Sequence, residues 1–273
     1  MAERRSLPIS TDVMPVDLPG TSITPRRSPR VAVFPNDHAV ARALGRRIAD
    51  LVAASPRPVL GLPTGRTPLT LYREIAALHA RGVDFSRVTT FNLDEFLGIP
   101  SSHPGSYRSF MEHHLFSRLN VKPENRHFLD GGTSDPDAEC ARYEREIAEA
   151  GGIDLQVLGI GANGHIGFNE PAPTLQARTH RVTLKPETRR SNASLFGGDP
   201  ARVPPEALSM GMATILHSRA IVLLATGRSK AACVERVVNG PLTTELPASF
   251  LQLHDDVDIM LDAAAAEKLP EDR

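Results

Sequence analysis

The chain has 273 residues, of which 41% are hydrophobic and 23% are charged, a composition typical of a folded globular protein. Its 31 basic residues almost balance its 32 acidic residues, and the net charge of -1 favours neither nucleic acid nor an anionic membrane surface as a partner. No apolar run approaches the roughly 20 residues that span a bilayer. The two cysteines form no paired motif. We therefore expect a cytoplasmic protein without a disulfide framework or a metal site.

Residues 1–30 are rich in Pro, Ser, Thr and Arg and show no sustained apolar period, which predicts a flexible extension before a single domain over residues 31–273. The apolar runs that predict strands are 31–34, 59–62, 88–93, 154–160, 220–225 and 256–261. The segments that predict helices are 37–54, 69–79, 107–119, 136–150 and the residues after Lys230. Because the strands are apolar throughout rather than alternating, we expect a Rossmann-like α/β fold, an open and mostly parallel sheet with helices on both faces.

In such a sheet, ligands bind beyond the carboxyl ends of the strands. The first of these ends is the turn Pro63–Pro68, in which Gly65 permits a tight bend, Thr64 and Thr67 offer hydroxyls, and a helix follows. Free N–H groups at the start of that helix would bind an anion. The same residues also suit an ordinary turn in which Thr67 caps the helix and Pro68 occupies its first position. The turn alone supports both interpretations equally.

Two adjacent acids, Asp94 and Glu95, follow the third predicted strand. An unpaired carboxylate is costly to bury, so acids at the end of an apolar strand indicate a purpose. We predict that Asp94 is a general base beside a substrate. Glu95 is expected to cap the following turn or to be solvated.

The fourth predicted strand runs into a loop with four glycines within residues 159–167. Asn163, His165 and Glu170 add an amide, an imidazole and a carboxylate to this segment. Histidine titrates near neutral pH, and a neighbouring carboxylate can orient its ring. A lone histidine is more often structural, but the glycines and the two polar companions favour a functional site.

Lys230 lies in the turn after the fifth predicted strand, close to the start of a helix. A lysine there opposes the positive end of the helix dipole unless an anion lies nearby, so we predict that Lys230 reaches the anion held by the first turn. Together the four strand ends indicate acid–base chemistry on a small phosphorylated substrate, without a metal motif.

Four runs carry a resemblance to a known family: residues 61–72, 91–99, 103–111 and 159–171. They resemble the glucosamine-6-phosphate deaminases (the glucosamine/galactosamine-6-phosphate isomerase family), over about Val31 to Ala263. The resemblance implies conversion of an amino-sugar phosphate, glucosamine 6-phosphate, and water to fructose 6-phosphate and ammonia, without a metal or an organic cofactor. It also leaves the assembly open, since the family includes monomers and homo-oligomers.

The resemblance further implies a role for each matching residue. His165 would open the pyranose ring, Glu170 and Asn163 would hold and tune that histidine, and Asp94 would move the C2 proton. The implied phosphate-binding residues are Thr64, Gly65, Arg66, Thr67 and Lys230.

One departure from the family concerns the substrate phosphate. Relatives bind it with an arginine from a mobile lid, where this chain has Ser194, whereas Arg66 stands where several relatives have a small residue. Losing a charge-assisted contact ordinarily costs about 1.5–3 kcal/mol. We hypothesise that Arg66 replaces the missing arginine, although Arg189 and Arg190 also lie near the lid.

Three alternative functions are open at this point. Galactosamine 6-phosphate or another amino-sugar phosphate is an alternative substrate, because the departure lies in the lid. A lactonase acting on phosphogluconate is disfavoured by Asp94 and the run Phe168–Pro171. A non-catalytic sugar-phosphate sensor would need a DNA-binding element, which the near-neutral charge does not supply, and would not need a base at C2.

Overall fold

A computed structural model of the chain describes residues 29–270. Its strands are β1 (Arg30–Phe34), β2 (Val59–Leu62), β3 (Thr89–Asn92), β4 (Asp94–Phe96), β5 (Arg126–His127), β6 (Leu155–Leu158), β7 (His180–Thr183), β8 (Glu206–Ser209), β9 (Ala220–Ala225) and β10 (Val257–Asp262). Its α-helices are α1 (Asp37–Ala54), α2 (Leu69–Ala80), α3 (Tyr107–His114), α4 (Pro136–Glu149), α5 (Pro186–Asn192), α6 (Met212–Leu216) and α7 (Ala231–Asn239).

Residues 1–28 of the predicted N-terminal extension lie outside the described residues. Arg30, its last residue, belongs to β1. The predicted helix 107–119 is shorter in the structure, where α3 ends at His114 and a short 3₁₀ turn follows at Phe116–Arg118. No helix among residues 29–270 is long and apolar enough to cross a membrane.

The central element is a seven-stranded sheet in the order β1-β10-β9-β6-β2-β3-β5, in which the strands are paired in parallel. The predicted α/β fold with a mostly parallel sheet is therefore confirmed. A second sheet, in the order β4-β8-β7, is antiparallel and was not predicted.

Helices cover both faces of the large sheet, because its strands present apolar side chains alternately to each face. In β9, Ile221 and Leu223 pack into a core shared with α4, α6 and α7. Val222 and Leu224 pack into the opposite core, shared with α1, α2 and α3. Each fully buried aliphatic side chain of this kind stabilises the fold by about 1.5–3 kcal/mol, so the two cores hold the strand ends in place.

The chain passes from the large sheet to the small sheet at Leu93. The Leu93 N–H donates to the Leu62 carbonyl of β2 at 3.3 Å, and its carbonyl accepts from the Met210 N–H at 2.8 Å. Asp94 therefore begins a strand of the small sheet, whereas the predicted strand 88–93 would have placed it at the end of a strand of the large sheet.

The loop after β6 is attached to the small sheet as well. The Phe168 N–H donates to Ser209 Oγ at 3.0 Å, and the Asn169 side-chain amide donates to the Met210 carbonyl at 2.8 Å. The Gly-rich loop and the strand that begins at Asp94 thus both contact the end of β8, at residues 209–210.

Candidate active site

A cavity of about 640 Å³ opens beyond the carboxyl ends of β2, β6 and β9, as expected for ligand binding in this type of sheet. Seven of the nine predicted site residues line it: Thr64, Gly65, Arg66, Thr67, Asp94, His165 and Lys230. The other two, Asn163 and Glu170, do not line the cavity, and each contacts the other.

The turn Pro63–Pro68, which we call the anion loop, joins β2 to α2 along one side of the cavity. Gly65 has a φ of +93°, a left-handed conformation that glycine adopts without strain. Pro68 occupies the N-cap position of α2, and no side chain caps that helix. The alternative in which Thr67 caps the helix is therefore wrong, and the N–H groups at this end of α2 lack a side-chain acceptor.

Lys230 approaches the same cavity from the turn between β9 and α7. It is half-buried, and burial lowers the pKa of its ammonium group. No carboxylate among residues 29–270 forms an ion pair with it. A half-buried cation without a protein counter-charge favours an anionic ligand.

Asp94 also lines the cavity and is 7% exposed. Its Oδ1 atom is buried and has no hydrogen-bond partner among the described residues. Burial, and then the neighbouring Glu95, raise the pKa of Asp94 to about 8. A carboxyl group of this kind exchanges protons near neutral pH, which suits a general base.

Glu95 caps the start of α3. Its carboxylate accepts the N–H groups of Tyr107 at 2.8 Å, Arg108 at 2.9 Å and its neighbour Phe96 at 2.9 Å. Burial raises the pKa of Glu95 to about 7, against the lowering effect of these three hydrogen bonds. Glu95 therefore caps a helix that begins twelve residues later rather than the turn that directly follows it. The predicted solvation is wrong, because Glu95 is 1% exposed.

His165 is half-buried, with its ring directly over Gly161. A Cβ atom at position 161 would come within 2.2–2.5 Å of three His165 ring atoms, so only glycine fits beneath the ring. The His165 Nδ1 atom is buried without a partner among the described residues. Burial lowers the pKa of His165, and the nearby charge of Glu170 opposes that shift.

Asn163 and Glu170 form the support behind this histidine. The Asn163 side-chain amide donates to Glu170 Oε2 at 3.4 Å, and Asn163 Oδ1 accepts the backbone N–H of His165 at 3.3 Å. The Thr188 hydroxyl, from α5, donates to Glu170 Oε1. The sequence analysis did not identify Thr188.

Tyr107 is a second residue that the sequence analysis missed. It lines the cavity, its hydroxyl donates to Asn192 Oδ1 at 3.0 Å, and it also lies against the Thr64 hydroxyl. Its ring is stacked on Phe168 at 5.8 Å between centroids. Its one signal in the sequence is its place in the run 103–111, which is one of the four runs that carry the family resemblance. The resemblance implies no role for Tyr107.

Comparison with known proteins decides the family. The model of the family "glucosamine-6-phosphate isomerases/6-phosphogluconolactonase" matches residues 36–260. The chain belongs to this family. Glucosamine-6-phosphate deaminase 1 of Giardia intestinalis is 51% identical over 225 residues, which cover 82% of this chain and 85% of that protein.

Two further relatives agree with that assignment. Glucosamine-6-phosphate deaminase 2 of Bacillus subtilis (strain 168) is 49% identical over 224 residues, covering 81% of this chain and 90% of that protein. A solved structure, described as a monomeric glucosamine-6-phosphate deaminase, superposes with a TM-score of 0.85 at 40% identity and covers 88% of this chain and 99% of its own. The resemblance found in the four sequence runs is confirmed.

Within this family, the structure also locates the arginines considered as substitutes at the lid. Arg189 donates to two backbone carbonyls, and Arg190 forms an exposed ion pair with Glu187 at 2.9 Å. Neither lines the cavity, whereas Ser194 and Arg66 do. Arg66 is thus the arginine that lines the cavity in the described part of the chain.

Proposed function

We propose that this chain converts glucosamine 6-phosphate and water to fructose 6-phosphate and ammonia. The main support is one juxtaposition: two acid–base groups with buried, unpartnered polar atoms, Asp94 and His165, share a cavity with the anion loop and the unpaired cation Lys230. The relatives named above carry the name of this activity.

The substrate phosphate binds between the anion loop and Lys230 in this proposal. The N–H groups at the start of α2 and the half-buried ammonium group are suited to a dianion. Arg66 adds a second positive charge and takes the place of the lid arginine, since Ser194 offers only a hydroxyl. Binding energy from the phosphate, which does not react, orients C1 and C2 against the acid–base groups.

His165 opens the sugar ring. Because burial lowers its pKa, the imidazole is neutral at neutral pH and accepts the proton of the anomeric hydroxyl. It returns that proton to the ring oxygen as the bond from C1 to that oxygen breaks, which leaves an open-chain aldehyde. Glu170 and Asn163 hold the histidine in place, and the Glu170 charge stabilises the transient imidazolium.

Asp94 then moves the proton of C2. With a pKa of about 8 in the free site, it titrates close to neutral pH, and the positive amino group at C2 of the substrate favours its ionised form. Removal of the C2 proton gives an enolamine, and return of a proton to C1 gives an imine at C2. Water adds to this imine, and ammonia leaves as the ketone forms.

The test is ammonia release from glucosamine 6-phosphate by the wild type, with galactosamine 6-phosphate in parallel. We expect rapid release from the first substrate and a loss of at least about 100-fold in D94N. The matched control is D50N, which removes an exposed carboxylate of α1 outside the cavity.

The other outcomes also discriminate between functions. Release from the galacto epimer alone would keep the mechanism and change the substrate. Release from neither sugar phosphate would overturn the proposal and favour the sugar-phosphate sensor. Equal rates in D94N and the wild type would remove Asp94 from the mechanism.

A further inference from the structure

Helix α5 contacts the site at two points. At its end, Asn192 Oδ1 accepts the Tyr107 hydroxyl, which lies on the cavity wall next to the anion loop. In its middle, the Thr188 hydroxyl donates to Glu170 Oε1. The helix therefore joins the phosphate side of the cavity to the support of His165.

Thr188 is 3% exposed, so its hydroxyl has no access to bulk solvent and must find its partner inside the protein. The acceptor is a buried carboxylate whose other oxygen receives the Asn163 amide. Glu170 is 7% exposed, and each of its oxygens thus has one side-chain donor. Two donors from opposite sides fix the plane of the carboxylate, and removing one leaves a buried charge partly unsatisfied.

Threonine is suited to this task, because a β-branched side chain in a helix has few accessible rotamers. The Thr188 backbone carbonyl also accepts the Ser191 hydroxyl at 2.8 Å and the Asn192 amide at 2.9 Å, which fastens this turn of α5. The direction of the hydroxyl is therefore set before any substrate binds.

We propose that Thr188 is a positioning residue, which holds Glu170 so that its charge stays beside His165 during ring opening. This inference rests on the proposed function, since it assigns Thr188 to one step of that reaction. Thr188 itself does not touch the substrate, because it lies behind the cavity and does not line it.

The first experiment compares T188V with T188S. Valine keeps the branched shape and loses the hydroxyl, whereas serine keeps the hydroxyl. We expect kcat for ammonia release to fall about tenfold or more in T188V, with KM changed less than about twofold, and to recover in T188S. The matched control is T183V, at an exposed threonine of β7 outside the cavity, with kcat unchanged.

A double-mutant cycle tests whether Thr188 acts through Glu170. If it does, T188V lowers kcat of the E170Q variant by less than about twofold, since the charge that it holds is already gone. A loss in the E170Q background as large as in the wild type would overturn the proposal. An unchanged kcat in T188V would do the same.

A spectroscopic measurement separates this inference from the proposed function. The imidazole ¹⁵N signals of His165, assigned by their absence in H165Q, should shift in T188V and stay in place in T188S and T183V. A shift in a protein that releases no ammonia would overturn the proposed function and keep Thr188 as the support of His165. Unmoved signals in T188V would overturn the positioning role, whatever the activity.

Discussion

The cavity has a proposed phosphate side, with Arg66 and Lys230, and a proposed acid–base side, with Asp94 and His165. The charged groups of the two sides differ in their exposure to solvent. Arg66 is exposed and Lys230 is half-buried, so both present positive charge to an incoming ligand. Asp94 and Glu170 are each 7% exposed, and the His165 ring packs over Gly161 with its Nδ1 atom buried. Attraction of an anion requires accessible charge, whereas proton transfer near neutral pH requires pKa values that burial has shifted. In the proposed reaction, one cavity thus offers accessible positive charge to the phosphate and a buried carboxyl group, Asp94, to the reacting carbons.

The largest effect should follow from a substitution on the acid–base side. We expect H165Q to lower kcat by about 100- to 10,000-fold, with little change in KM, because it removes a proton carrier and leaves the phosphate contacts intact. Steady-state ammonia release measures both constants. The matched control is H113Q, at an exposed histidine of α3, which should behave as the wild type. An effect of H165Q on KM larger than its effect on kcat would contradict the comparison.

A substitution on the phosphate side should change KM more than kcat. We expect K230M to raise KM about 10- to 100-fold with a smaller change in kcat, because one charge-assisted contact to the phosphate is lost. K122M, at an exposed lysine that does not line the cavity, should behave as the wild type. An unchanged KM in K230M would place the phosphate elsewhere.

Arg66 should contribute less than Lys230, because its exposed charge is screened by solvent. We expect R66A to raise KM about five- to tenfold with less change in kcat, and the effect should shrink as salt is added. R46A, at an exposed arginine of α1, is the control. If KM does not change in R66A, Arg66 does not replace the lid arginine.

The smallest effect concerns stability without substrate. Asp94 has a folded-state pKa of about 8, above the value of about 4 for an unfolded aspartate. The unfolded chain therefore releases this proton first, and the wild type loses stability as pH rises from about 4 to 8.

D94N lacks this titration. We expect its melting temperature to exceed that of the wild type by about 4–8 °C at pH 8, on the order of 2 kcal/mol, with the gap closing towards pH 4. Thermal denaturation of both proteins and of D50N across this range measures it. A gap that is constant with pH would contradict the raised pKa.

The large sheet and most of the cavity lining could be predicted because their signals are local. Strands such as β2 and β9 are buried on both faces and form continuous apolar runs in the sequence, and loops such as 159–167 gather glycines at strand ends. Topology then brings these ends together without further information. For the same reason the sequence predicts that Thr64–Thr67, His165 and Lys230 share one site.

The small sheet had no such signal. β4 has three residues and pairs through Asp94 with the distant Ser209, and the four residues of β7 include the exposed Arg181 and Thr183. Segments this short and polar form strands only because non-local partners supply the hydrogen bonds. Thr188 was missed for a related reason, since it lies in the polar stretch 185–192 and only the fold shows that it is buried.

The crossing at Leu93 places the two proposed acid–base groups at different sheets. Asp94 belongs to the small sheet, whereas His165 follows a strand of the large one, and the bonds of Phe168 and Asn169 join the two. The relative position of Asp94 and His165 therefore depends on how the two sheets pack together, rather than on any single loop. In the proposed mechanism, residues between the two sheets would thus influence turnover without contacting the substrate.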